Sequence, residues 1–176
     1  FRSTAFFDKR SKFLHYLPEL VVINNIEFDH ADIYNSLEEI KLSFRRLTQI
    51  IPHNGLALVN ADDPNCLDVV KGAPCPVKTV GFSDSSNIRI LDVETSTDGS
   101  HFTLEGTRYY VPMIGEFNIR NAAMAIAAAQ FAGLNVKQLA DSMSRFEGVA
   151  RRQEVKGVVN GISVVDDFAH HPTAIK

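Results

Sequence analysis

Val21 to Tyr34, VVINNIEFDHADIY, is the stretch that decides the fold. Leu20 to Ile23 is a short aliphatic run, mostly β-branched, that stops at Asn24 and Asn25. Such a run reads as a buried strand of the kind found inside parallel sheets. Glu27, Asp29, His30 and Asp32 follow within a few positions, so the strand delivers a polar loop at its carboxyl end. Open α/β sheets bind their ligands at that edge. One imidazole among carboxylates can meet a divalent ion directly. It can also have its tautomer held by a carboxylate while its other nitrogen faces a metal or a phosphate oxygen. With no second His and no Cys at ligand spacing, the set suits Mg2+ or Mn2+ better than zinc. The plainer alternative is a strand-to-helix loop whose His bonds to backbone.

Downstream, Asn35 or Ser36 can cap a helix, and Ser36 with Glu39 fits a capping box. Leu37, Ile40, Phe44, Leu47 and Ile51 form one apolar stripe, which Pro52 and Gly55 close. Leu56–Asn60 reads as a second strand, Pro64–Gly72 as a short helix and Pro76–Phe82 as a third strand. Strand and helix alternate, as in a parallel sheet covered by helices. From Ile88 the pattern changes to alternation, with Asp98-Gly99 and Glu105-Gly106 as turns, which predicts a small antiparallel meander. In IGEFNIRNAAMAIAAAQFAG, 114–133, Asn118 is the expected N-cap of an alanine-rich helix that Gly133 ends. Asn118 and Asn121 fall on or near its first turn, where amides can hold a phosphate or a base edge. Simple capping is the alternative for Asn118. Asn135 caps a further helix through Val136, Leu139, Met143 and Phe146.

FEGVARRQE, 146–154, presents Arg151 and Arg152 as adjacent guanidinium groups, either a phosphate clamp or solvated linker charge. Val155 to Val165 reads as a hairpin around Asn160-Gly161, running into Asp166, Asp167, His170 and His171. A domain boundary is expected at 152/153. Phe1–Tyr16 is expected to be an extended or irregular connection with a basic face.

The 176 residues are 45% hydrophobic with a formal charge of -3. A mildly acidic chain with dispersed basic residues argues against a nucleic-acid partner. No apolar run reaches membrane-spanning length, and Cys66 and Cys75 lack metal or redox spacing, so they read as reduced thiols of a cytoplasmic protein. The chain begins without Met and ends just after a dense polar motif, so it is expected to be part of a longer protein.

Four pieces in this order, VVINNIEFDHADIY, VNADDP, GEFNIRNAAMAIAAA with FEGVARRQE, and VVDDFAHHPTAIK, resemble the Mur ligase family of ATP-dependent amide-bond ligases. The resemblance implies an α/β central domain, a mostly parallel sheet with flanking helices plus a small antiparallel meander, over residues 1–152. Residues 153–176 would then open a Rossmann-like C-terminal domain. It implies ATP and Mg2+ as cofactors, and UDP-N-acetylmuramate and a peptide or amino-acid amine as substrates. ATP would activate the muramyl carboxylate as an acyl phosphate, which the amine then attacks. His30 matches the family's histidine beside Mg2+ and the acyl phosphate, and is the catalytic candidate. Asn118 and Asn121 match the asparagines near adenine. Arg152, with Arg151 as the alternative, matches the arginine on ribose or phosphates. Asp167 matches an acidic residue that meets the nucleotide when domains close. His170 and His171 share that loop, and Asn25, Glu27, Asp29 and Asp32 would orient the His30 loop. Three departures stand out. The family's glycine-rich phosphate loop is not in these residues, so they are expected to be inactive alone. Phe117 stands where members commonly carry His and removes any donor or ligand there. Lys41 and Arg45 both lie near the carbamylated lysine of several members. A noncatalytic nucleotide-binding module of the same fold is the competing reading, and a His-Asp metal phosphohydrolase is a more distant one.

Overall fold

A computed structural model describes residues 3–4, 8–29, 33–152 and 154–169. Its centre is a six-stranded sheet in which the strands stand in sequence order. The strands are β3 (Leu20–Ile23), β4 (Leu56–Asn60), β5 (Val77–Gly81), β6 (Ile88–Thr95), β7 (Ser100–Leu104) and β8 (Thr107–Val111). β3 to β6 pair in parallel, and β6 to β8 antiparallel. The expected meander therefore continues the parallel sheet rather than forming a separate one.

β4 explains the layering. Successive side chains of a strand point to opposite faces. Leu56 and Leu58 join one core with Val80, Ile88, Phe102 and Tyr109, while Ala57 and Val59 join another with Val21, Ile23, Cys66 and Val69. Both cores are roofed by helices. Helix α1 (Leu37–Gln49) lays Ile40, Phe44 and Leu47 on the second core, beside the short α2 (Pro64–Val69). Helix α3 (Glu116–Phe131) covers the first with Ile119, Ala122, Ala123, Ile126 and Ala127. Its alanines let it sit close to the sheet.

Helix ends follow the sequence with one correction. Ser36 is the N-cap of α1 and accepts from the Glu39 N–H, while the Glu39 carboxylate accepts from the Asn35 N–H at 2.8 Å. Asn135 caps α4 (Val136–Ser144) by accepting from the Gln138 N–H. Asn118, expected as the cap of α3, is its third residue. Gly115 is the N-cap, at φ 95°, with no side-chain capping bond. Only glycine enters that left-handed region without cost, so the helix starts three residues earlier. In α4 only Leu139 is buried, and Val136 is exposed because the helix lies at the end of the sheet. Near the amino end, β1 (Ser3–Thr4) and β2 (Asp8–Ser11) pair antiparallel, followed by a 3-10 turn at Lys12–His15. The described part of that segment is therefore more regular than its sequence predicts. Finally β9 (Glu154–Val159) and β10 (Ile162–Asp166) form the predicted hairpin, paired only with each other among the described residues.

Candidate functional site

Because β3, β4 and β5 run parallel, the loops that follow Ile23, Asn60 and Gly81 leave on one edge. Side chains stitch these loops together. Asn60, 5% exposed, donates Nδ2 to the Asn24 carbonyl at 2.8 Å, and its Oδ1 accepts from the Asp62 N–H at 2.9 Å. Asp63 caps α2 and also accepts the Ile26 N–H at 2.9 Å, while Asn65 donates to the Ile26 carbonyl. The loop that leads to His30 is thus held at residues 24 and 26 by the β4–α2 turn.

The first turns of α3 dock on the same edge. Asn24 Nδ2 donates to Asn121 Oδ1 at 2.8 Å, and Arg120 lies 3.1 Å from Asp62 and over the Phe82 ring at 5.1 Å. Asp62 accepts the Phe82 and Ser83 N–H groups, each at 3.0 Å. A Cβ on Gly81 would stand 2.7 Å from Asp62 Oδ2, so glycine is what lets that carboxylate reach the β5 loop. Burial pushes the Asp62 carboxyl up, but the two N–H groups and Arg120 outweigh it and hold it below the usual aspartate value. A lowered folded value contributes stability that is present above the unfolded value, about 4, and lost as pH falls through the folded one. Asp62→Asn is therefore expected to be less stable than the parent at pH 7, with the gap in melting temperature narrowing as the buffer is acidified below about pH 4. A gap that is constant with pH would contradict this.

A second element is a cleft of about 830 Å³ between the β6–β7 turn, the start of α3 and the hairpin. It is lined by Asn118 and Arg152, with Ile114, Val149 and Val155 as apolar wall and Asp98, Glu147 and Glu154 as carboxylates. Its size suits a nucleotide. With three carboxylates to one guanidinium, its chemistry suits a base and a ribose better than a triphosphate. Asn118, 7% exposed, donates Nδ2 to the Ile114 carbonyl at 2.8 Å, so one of its amide donors already braces the cleft wall.

The described candidates fall into three groups. Asn118 and Arg152 both line the cleft, whereas Asn121 turns to Asn24 on the adjoining face of α3. Asn25 contacts Glu27 at 3.4 Å, and Asp29 lies on the same loop. Arg151 is 3.8 Å from Asp166 and 5.0 Å over the Phe168 ring, and the exposed Asp167 accepts the Ala169 N–H. His30, Asp32, His170 and His171 lie outside the described residues. Lys41 and Arg45 stand at 2.7 and 2.6 Å from Asp68, joining α1 to α2 rather than facing the sheet edge. Phe117 is half exposed at the start of α3. Cys66 and Cys75 are buried free thiols, and burial beside Asp63 pushes the Cys66 thiol up. Asn24, Asn60, Asp62 and Arg120 were not singled out in the sequence. The only local signal was the NADD turn after a strand.

The family model for the Mur ligase middle domain matches residues 3–129. The chain is 39% identical over 178 residues to the UDP-N-acetylmuramate–L-alanyl-γ-D-glutamyl-meso-2,6-diaminoheptandioate ligase of Haemophilus influenzae, covering 98% of this chain and 38% of that one. It is 37% identical to the UDP-N-acetylmuramate–L-alanine ligase of Clostridium acetobutylicum over 175 residues, covering 95% of this chain and 38% of that one. Among solved structures, a murein peptide ligase from Psychrobacter arcticus superposes with a TM-score of 0.74 at 36% identity, over 97% of this chain and 36% of the other. The chain thus spans little more than a third of the length of these relatives. On the family match and on identity over nearly all its residues, it belongs to the Mur ligase family, whose middle domain it carries.

Proposed function

We propose that this chain is the nucleotide-binding part of an ATP-dependent ligase that joins UDP-N-acetylmuramate to L-alanyl-γ-D-glutamyl-meso-diaminopimelate, in cytoplasmic recycling of peptidoglycan. The observation that carries the reading is the cleft that Asn118 and Arg152, 34 residues apart in sequence, both line. In the proposed reaction a carboxylate oxygen of the muramyl group attacks the γ-phosphorus of ATP, giving an acyl phosphate and ADP. The peptide amine then attacks the acyl carbon, phosphate leaves, and the amine loses its proton. Both partners of the first step are anions, so cationic groups must screen them.

On this reading the cleft takes adenine and ribose, with Arg152 at the ribose or the phosphates. The phosphates extend toward the edge formed by β3, β4 and β5, from which the loop leading to His30 departs. Among the described residues no three His, Cys, Asp or Glu side chains could enclose a metal. Mg2+ on a nucleotide needs only one or two protein ligands. Glu27 and Asp29 offer hard oxygens on the loop that leads to His30, so the donor set fits it. Bound there, Mg2+ supplies neutralising charge to the phosphate oxygens.

Residues 153–176 we assign to the start of a C-terminal domain. β9 and β10 leave Val155, Val158, Val159, Ile162, Val164 and Val165 at least half exposed, which fits a hairpin whose covering layer is contributed by further chain. Among the described residues no helix is long and apolar enough to cross a membrane.

Free L-alanine as the amine is the second reading, favoured by the 37% identity to the Clostridium acetobutylicum ligase. The test is phosphate release and product mass with the full-length protein, ATP, UDP-N-acetylmuramate and either tripeptide or L-alanine. Ligation of the tripeptide supports the first reading and preference for L-alanine the second. Absence of ATP-dependent product with either amine refutes both.

A further inference from the structure

Asn24 carries a contradiction. Its Nδ2 is bonded to Asn121, and its carbonyl to Asn60, yet its Oδ1 is buried with no partner. A buried acceptor without a donor costs folding free energy, so an amide is a poor choice at this position for stability alone. What it does accomplish is orientation. Asn121 is exposed and follows Asn118 by one helical turn, so both asparagines sit at the start of α3. A side-chain amide has one acceptor and two donors at opposite corners. With Asn121 Oδ1 engaged by Asn24, its Nδ2 hydrogens must face the other way.

We propose that Asn24 is a positioning residue that locks the Asn121 amide so that its N–H donors meet a hydrogen-bond acceptor of the bound nucleotide. The lock is itself rigid. The Asn24 backbone is fixed by Asn60, the buried last residue of β4. The inference rests on the nucleotide reading given above.

The test uses the full-length protein and Asn24→Leu, which keeps the bulk, removes the orphan acceptor and cannot orient Asn121. The melting temperature is expected to equal or exceed that of the parent, while Kd and KM for ATP rise about tenfold and kcat is unchanged. In protein labelled with 15N-asparagine, the Asn121 side-chain amide resonances should move toward solvent-exposed positions. Should Asn24→Leu fail to fold, Asn24→Ala carries the same readouts. Unmoved Asn121 resonances, or ATP affinity that falls only as far as thermal stability does, overturn the inference while leaving the nucleotide reading intact. A parent protein that binds no ATP sinks the nucleotide reading, and with it the ligand named here, even if the resonances move.

Discussion

Asp63→Ala is expected to destabilise the fold by about 2–4 kcal/mol, the combined effect of a lost helix cap and a stranded buried donor. One carboxylate serves two elements. Its Oδ1 accepts the Asn65 and Cys66 N–H groups at 2.8 and 3.4 Å, which starts α2. Its Oδ2 accepts the Ile26 N–H at 2.9 Å and lies 3.3 Å from the Cys66 sulfur. Ile26 is 2% exposed, so water does not readily replace the lost partner. For a chain of this length the loss corresponds to a fall in melting temperature of about 5–15 °C. Asp63→Asn should cost less, because Oδ1 can still cap α2, although its amide nitrogen then faces the Ile26 N–H. Asp68→Ala is the control. It removes contacts of a partly exposed carboxylate to Lys41, Arg45 and Lys71 outside the sheet core, and ion pairs that solvent can screen contribute only about 0–1 kcal/mol each. Urea denaturation of the three variants decides the matter, and an Asp63→Ala variant as stable as Asp68→Ala would contradict the account.

The largest effect on ligand binding is expected at Arg152. Truncation to alanine in the full-length protein should weaken ATP by about 10- to 100-fold, the loss of a hydrogen bond from a charged donor. Arg152 is exposed on the cleft wall and is the only cation that lines it among the described residues. Arg151 is placed differently. Its guanidinium is turned toward Asp166, it shares the Phe168 ring with Arg152, and its φ of 60° marks the bend into β9. Arg151→Ala should therefore loosen the hairpin and leave ATP affinity within about threefold. Calorimetric titration with ATP separates the two. A larger loss at Arg151 than at Arg152 would reverse the assignment of the pair.

The order of strands and helices was legible because it depends on local pattern. The run of Leu56 to Asn60, the Ser36–Glu39 capping box and the Asp98-Gly99 turn each carry their signal within a few residues. The start of α3 was misread because an asparagine before an alanine-rich run has the composition of a cap, whereas the backbone turn is made by Gly115. Contacts across the site had no local signature. Asn24 meets Asn121 across 97 residues and Arg120 meets Asp62 across 58, and only the parallel sheet brings them to one edge. The family resemblance supplied Asn118 and Arg152 as partners, and periodicity alone would not have paired them. The hairpin was predicted, but its exposed valines were not, since alternation does not tell a covered face from a bare one.

β4 is enclosed on all four sides, by paired strands along both edges and by helices above and below. Water reaches its amides only when the whole domain comes apart, whereas the loops beyond Asn60 can open by themselves. Rigidity and adaptability are thereby assigned to the middle and the rim of one strand, so the rim can rearrange around an incoming molecule without loosening the middle.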